Sequence, residues 1–158
     1  MASDLMAQSA KLAKRLAAIP AEIVAQVRPA LVQAAGDLAD VARALVPEDE
    51  GDLKASIAVT PPGAMTPAYA EGGGSRRAGD NQALVTVGNP QARHGHLVEF
   101  GTAPHLNSGE FAGTEHPGTE AQPFLLPAAR LTEDRNKRRI GRAVAQAIRK
   151  AGVGGGNA

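Results

Sequence analysis

The residues best suited to chemistry lie close together in "RHGHLVEFGTAPH", residues 93–105, which holds His94, His96, Glu99 and His105, with His116 downstream. Imidazole and carboxylate together form the donor set of a zinc or related divalent centre. Spacing argues against convergence. On a strand, His94 and His96 share a face and Glu99 takes the opposite one, because successive side chains alternate. On a helix, His96 and Glu99 are neighbours, while His94 stands about 200° from His96 at about 100° per residue. A site would need His105 or His116 to return from the following loop, and no H-E-x-x-H spacing recommends one. No metal ligand is therefore assigned.

Other chemistries are no better supported. Ser56, Ser75 and Ser108 lack a G-x-S-x-G context, and "GEFAGTEHPG" around His116 is too loose to imply a triad. The glycine-rich "EGGGSRR" is not followed by a helix whose N-terminus could receive a phosphate. No catalytic residue and no cofactor is assigned, and the expectation is a protein that is not an enzyme. Nucleic acid is the stronger alternative, because Arg135, Arg138, Arg139 and Arg142 fall within two helical turns. Such a cluster binds phosphates without reading sequence, and no aromatic beside it could stack on bases.

The elements that carry these residues follow from periodicity. Ser3 or Asp4 can cap a helix with Leu5, Leu12, Leu16 and Ile19 on one stripe, ended by Pro20. The stripe resumes through Ile23, Val27, Leu31, Ala34, Leu38, Ala42 and Leu45, and Pro29 is expected to kink or split that second helix. "DLKAS" predicts a turn of helix, and Ile57 and Val59 open a strand closed by Pro61 and Pro62. Residues 61–81 read as a long flexible loop, and "QALVTVGN" as the partner strand of an antiparallel hairpin. A short element around "HLVEFG" precedes a second flexible loop, 103–121. From "QPFLLPAARL" to about Lys150 the pattern is helical, with Ile140, Val144, Ala147 and Ile148 as its apolar stripe, and residues 152–158 form a disordered tail. The order predicts one α+β domain over residues 1–151, with N-terminal helices, a small antiparallel sheet and a C-terminal helix packed on that sheet.

Bulk properties bound the rest. At 158 residues, with three Phe, one Tyr and no Trp, the chain builds its core from Ala, Val and Leu, which predicts modest stability as a monomer. No cysteine is present, so disulfides and thiol chemistry are excluded. No run approaches the ~20 apolar residues of a membrane span, and the N-terminus reads as neither signal peptide nor anchor. Net charge is +1 over residues 1–46, −6 over 47–125 and +6 over 126–158, which suits head-to-tail self-association or contact with a polyanion.

Two stretches together resemble a known family. "VPEDEGDLKASI" is similar to its pattern of Pro, an acidic turn, Gly, one residue, Leu, two residues and Ser-Ile, here Pro47, Gly51, Leu53, Ser56 and Ile57. "HLVEFGT" followed by "AQPFLLPA" looks like its Val-Glu-Phe-Gly-Thr and Ala-Gln-Pro-Phe-Leu-x-Pro-Ala pairing, here Val98, Glu99, Phe100, Gly101 and Thr102, then Gln122, Pro123, Phe124 and Pro127. The family is that of the neck, tail-completion or tail-terminator-like proteins of long-tailed bacteriophages, prophages and gene transfer particles. This chain departs from it at Glu50, where Thr is usual, and in "RHGH", where Tyr-Ala is usual.

The resemblance implies a structural virion protein of the head-tail junction. It would form a homo-oligomeric ring, by expectation a hexamer, in contact with the connector or stopper and the tail tube around the DNA channel. Assembly would take place in the host cytoplasm. The same resemblance assigns local roles: Gly101 ends a short helix in the left-handed conformation or permits a sharp turn, Leu97 and Phe100 pack inward, and Glu99 faces a donor at the turn or on a neighbouring subunit. Pro123 would start the last helix, Phe124 and Leu125 would dock it on the sheet, and Pro127 is tolerated in its first turn. Arg135, Arg138, Arg139 and Arg142 are candidate channel or interface contacts. The alternative function is that of a small basic protein binding DNA without sequence preference.

Overall fold

The computed structural model of the chain describes residues 21–47, 51–70 and 74–154. The helix expected over 3–19 and the turn at Glu50 lie outside the described residues. Helix α1 spans Ala21–Leu45, and its buried stripe is Ile23, Val27, Leu31, Ala34, Ala35, Ala39 and Ala42. At its end the expected periodicity slips by one residue: Leu45 is 42% exposed and Val46 is buried in its place. Pro29 neither ends nor splits α1. It lies on the exposed side, where water can satisfy the carbonyl it strands, while the buried stripe on both sides of it holds the helix.

Helix α2, Asp52–Ala55, is entered through Gly51 in the left-handed region (φ 87°) and leads directly into β1, Ile57–Thr60. Strand β2, Leu84–Val87, pairs with β1 antiparallel, with Ile57 opposite Val87 and Thr60 opposite Leu84. The intervening loop continues the hairpin irregularly. Thr66 N–H donates to Arg76 O (2.8 Å), Ala78 N–H donates to Ala64 O (2.8 Å), and Arg28 on α1 donates from Nε to Asp80 O (3.0 Å).

Helix α3, Gly95–Phe100, is followed by a two-residue ladder of β3, His105–Leu106, with β4, Glu115–His116. Helix α4, Leu125–Gly154, closes the described fold. It runs antiparallel to α1, so two apolar clusters form along their seam. Ile23, Val27 and Leu31 meet Ala147 at one end, and Ala39 and Ala42 meet Phe124 and Ala128 at the other. Asn136 Nδ2 donates to Ala34 O (3.0 Å) between the clusters. Phe124 and Ala128 also carry α4 onto the sheet, in one cluster with Ile57, Val59, Val85 and Val87. The described residues therefore form an α+β arrangement with two two-stranded antiparallel sheets, of which β1–β2 is capped at one end by the start of α4.

Candidate functional site

The two family-like motifs meet at that cap. Glu99 is only 6% exposed, and its carboxylate accepts three backbone N–H groups: Phe124 (2.8 Å) and Leu125 (2.9 Å) on Oε2, and Leu126 (2.9 Å) on Oε1. The first turn of a helix leaves its N–H groups without intrahelical partners, and its positive dipole end favours an anion. Pro127 has no N–H to satisfy, so Glu99 serves every donor between Phe124 and the first intrahelical bond, Ala128 N–H to Phe124 O (3.1 Å). Gln122 N–H adds a bond to Val98 O (2.8 Å), tying the strand-like approach of α4 to α3.

This arrangement corrects the expected orientation of α3. Leu97 and Phe100 do not pack inward; they are 40% and 66% exposed. The inward face consists of Gly95, Val98 and Glu99, related by separations of three and four. A Cβ on Gly95 would lie 2.7 Å from Val87 Cγ1 and 3.2 Å from Leu53 Cδ1, so glycine lets α3 close on the sheet. Sequence reasoning missed Gly95, although its spacing of four from Glu99 was the available signal. Gly101 has φ 69° and ψ 179°, which is a sharp turn and not the left-handed helical end. A Cβ there would meet Thr119 O at 2.6 Å and Ala121 N at 2.9 Å. Pro123 is exposed and precedes the helix, which begins at Leu125, while Pro127 sits in its first turn as expected.

Thr102 and Thr119 close the base of the loop that follows, exchanging backbone bonds of 3.0 and 3.1 Å. The first motif lies beside the second. Leu53 and Ile57 are buried in the same cluster as Phe124, and Ser56 Oγ donates to Leu53 O (2.7 Å), closing α2. A surface hollow lined by Pro47, Gly51, Leu53, Val98 and Gln122 is where the two stretches face each other.

Two of the four histidines meet across the β3–β4 ladder. His105 and His116 are register partners in the β3–β4 ladder, with rings stacked at 5.0 Å and 18° between planes. His105 Nδ1 lies 3.0 Å from Ala103 O, and His116 Nδ1 accepts Gly118 N–H at 3.0 Å. His94, His105, His116 and Glu120 line a second surface hollow, yet among the described residues no group of three His, Asp or Glu side chains is placed to hold a metal ion.

The arginine cluster divides. Arg139 pairs with Asp37 on α1 (2.5 Å) and Arg135 approaches the same carboxylate (3.4 Å), so both brace the α1–α4 seam. Lys137 pairs with Glu133, whose carboxylate holds the ammonium above its ordinary range. Arg138 and Arg142 are exposed and have no ion-pair partner among the described residues. Large apolar groups also face solvent: Phe100 (66%), Leu106 (69%), Phe111 (67%) and Leu131 (71%).

No helix among the described residues is long and apolar enough to cross a membrane. No curated protein and no solved structure matches the chain. A family model described as "Bacteriophage HK97-gp10, putative tail-component" matches residues 10–101, from before α1 through the Glu-Phe-Gly turn. With more than half of its length under that model, the chain belongs to the HK97-gp10-like family of bacteriophage tail-component proteins.

Proposed function

We propose that the protein is a ring-forming subunit of the head-tail junction, joining the capsid connector to the tail around the channel through which DNA leaves. Its role in this reading is mechanical, with no catalytic step. The observation that carries it is the exposure of Phe100 and Phe111, two of only three phenylalanines in the chain, alongside exposed Leu106 and Leu131. A protein this poor in aromatics gains most by burying them, and contact with neighbouring subunits would do so. Glu99 supports the reading by fixing the start of α4 rigidly, so that surfaces on α3 and α4 keep one relative geometry through assembly. Closed rings of identical subunits satisfy such surfaces without leaving an open end, and six copies is the proposed number.

Size-exclusion chromatography with light scattering, followed by negative-stain imaging of the protein and of purified particles, tests this. Rings, and the protein located between capsid and tail, are the expected result; a chain that stays a 16.2 kDa protomer and is absent from particles refutes it. A second reading, non-specific DNA binding, is favoured by exposed Arg138 and Arg142. It requires a protomer that retains duplex DNA with affinity falling steeply as salt rises.

A further inference from the structure

Between α3 and α4 the chain leaves the fold as a tongue, residues 103–121. Its base is closed by the paired Thr102 and Thr119, and Asn107 Nδ2 donates to Thr114 Oγ1 (2.8 Å) nearer its tip. Beyond each other, β3 and β4 have at most sparse contact with the remaining elements. The tongue carries exposed Glu110, Glu115 and Glu120, no lysine or arginine, and exposed Leu106 and Phe111.

The outer face of α4 is its chemical complement. Leu131, Arg138, Arg142 and Arg149 follow one another at offsets of seven, eleven and eighteen residues. At about 100° and 1.5 Å per residue these positions fall within about 20° of a single line ~27 Å long. All are exposed, Leu131 by 71%, and the three arginines have no ion-pair partner among the described residues.

Building on the ring reading above, we infer that the tongue of one copy docks on this stripe of the next copy. Leu106 and Phe111 cover Leu131, and the tongue's glutamates face Arg138, Arg142 and Arg149. Charge selects the pairing. Tongue against tongue would set acid on acid and stripe against stripe base on base, so tongue on stripe is the favoured pairing; a reciprocal twofold dimer would satisfy it as well, and the oligomeric mass distinguishes that dimer from the head-to-tail ring inferred here. Duplex DNA would use the arginines but not Leu131, and would leave the tongue's apolar tip uncovered.

The test uses the full chain in two charge-reversed forms, Glu110→Arg with Glu115→Arg, and Arg138→Glu with Arg142→Glu. All four positions are exposed, so circular dichroism and thermal melting should match the parent. At about 0.1 M salt, where attraction between exposed charges still reaches ~10 Å, each form alone should associate at least tenfold more weakly than the parent. A one-to-one mixture should recover the parent's oligomeric mass, because each tongue then meets an opposite stripe. The inference is overturned if both forms assemble like the parent, or if the mixture does not recover. It is equally overturned if the α4 form assembles normally while losing retention on duplex DNA. Parent rings with unaffected variants sink the docking alone; a parent that forms no ring in solution or in particles sinks the ring reading and the docking with it.

Discussion

Removing the buried Glu99 carboxylate should be strongly destabilising. Glu99→Ala strands three N–H groups, of which that of Phe124 is buried and those of Leu125 and Leu126 are partly buried. An orphaned buried donor costs about 1–3 kcal/mol, and water reaching Leu125 and Leu126 recovers part of it. The total should therefore be about 3–5 kcal/mol, in line with the loss of one partner of a buried charge interaction. For a chain of this size each kcal/mol lowers Tm by about 2–4 °C, so Tm should fall by about 6–20 °C. Glu99→Gln keeps one acceptor oxygen but turns an amide N–H₂ toward a donor and loses the charge at the positive end of α4, costing about 1.5–3 kcal/mol. Glu120→Ala, exposed at the tongue base, is the control and should stay within about 0.5 kcal/mol. Denaturant unfolding at fixed protein concentration gives the energies, and hydrogen exchange gives the location, since the amides of Phe124, Leu125 and Leu126 should lose protection first in Glu99→Gln. A Glu99→Ala protein within about 0.5 kcal/mol of the parent, with those amides still protected, would refute the capping account.

Gly101→Ala should destabilise by about 2–4 kcal/mol, combining a positive φ with a Cβ that collides with Thr119 O; Gly109→Ala, at φ 70° with open space around it, should cost only about 1–2 kcal/mol, and thermal melting separates the two. Asp37→Ala leaves the half-buried Arg139 without its carboxylate and should lower stability by about 1–2 kcal/mol, read by urea unfolding. Pro29→Ala restores an N–H to the middle of α1 on its exposed side and should raise stability by about 1–3 kcal/mol in the same assay.

Much of the backbone order was legible because it depends on local periodicity. The stripe from Ile23 to Ala42, the turn of helix at "DLKA", the two alternating strands of the hairpin without their register, and the late helix from "QPFLLPA" were each readable from spacing alone. Pro29 misled, since its local penalty is small against the burial on either side of it. Leu97 and Phe100 misled for a related reason. Apolar residues at helical spacing point inward by default, but α3 is only six residues long and its inward face was already claimed. Three donors at the start of α4, one buried and two partly buried, need an acceptor more than the core needs two further side chains.

The sequence by itself determined the class of fold, the hairpin and helix boundaries to within a few residues, the uneven charge, and the two motifs that mark the family, because these depend on residue type and short-range spacing. Only the tertiary structure decided what the second motif is for. Glu99 and the amides of Phe124, Leu125 and Leu126 stand some twenty-five residues apart in the chain, and no local rule pairs a glutamate with backbone donors at that separation. The same holds for the arginines of α4. Asp37, about a hundred residues upstream, takes Arg139 into the fold, draws the still exposed Arg135 to the edge of the seam and leaves Arg138 and Arg142 outside it, a division set by which side of α4 faces α1.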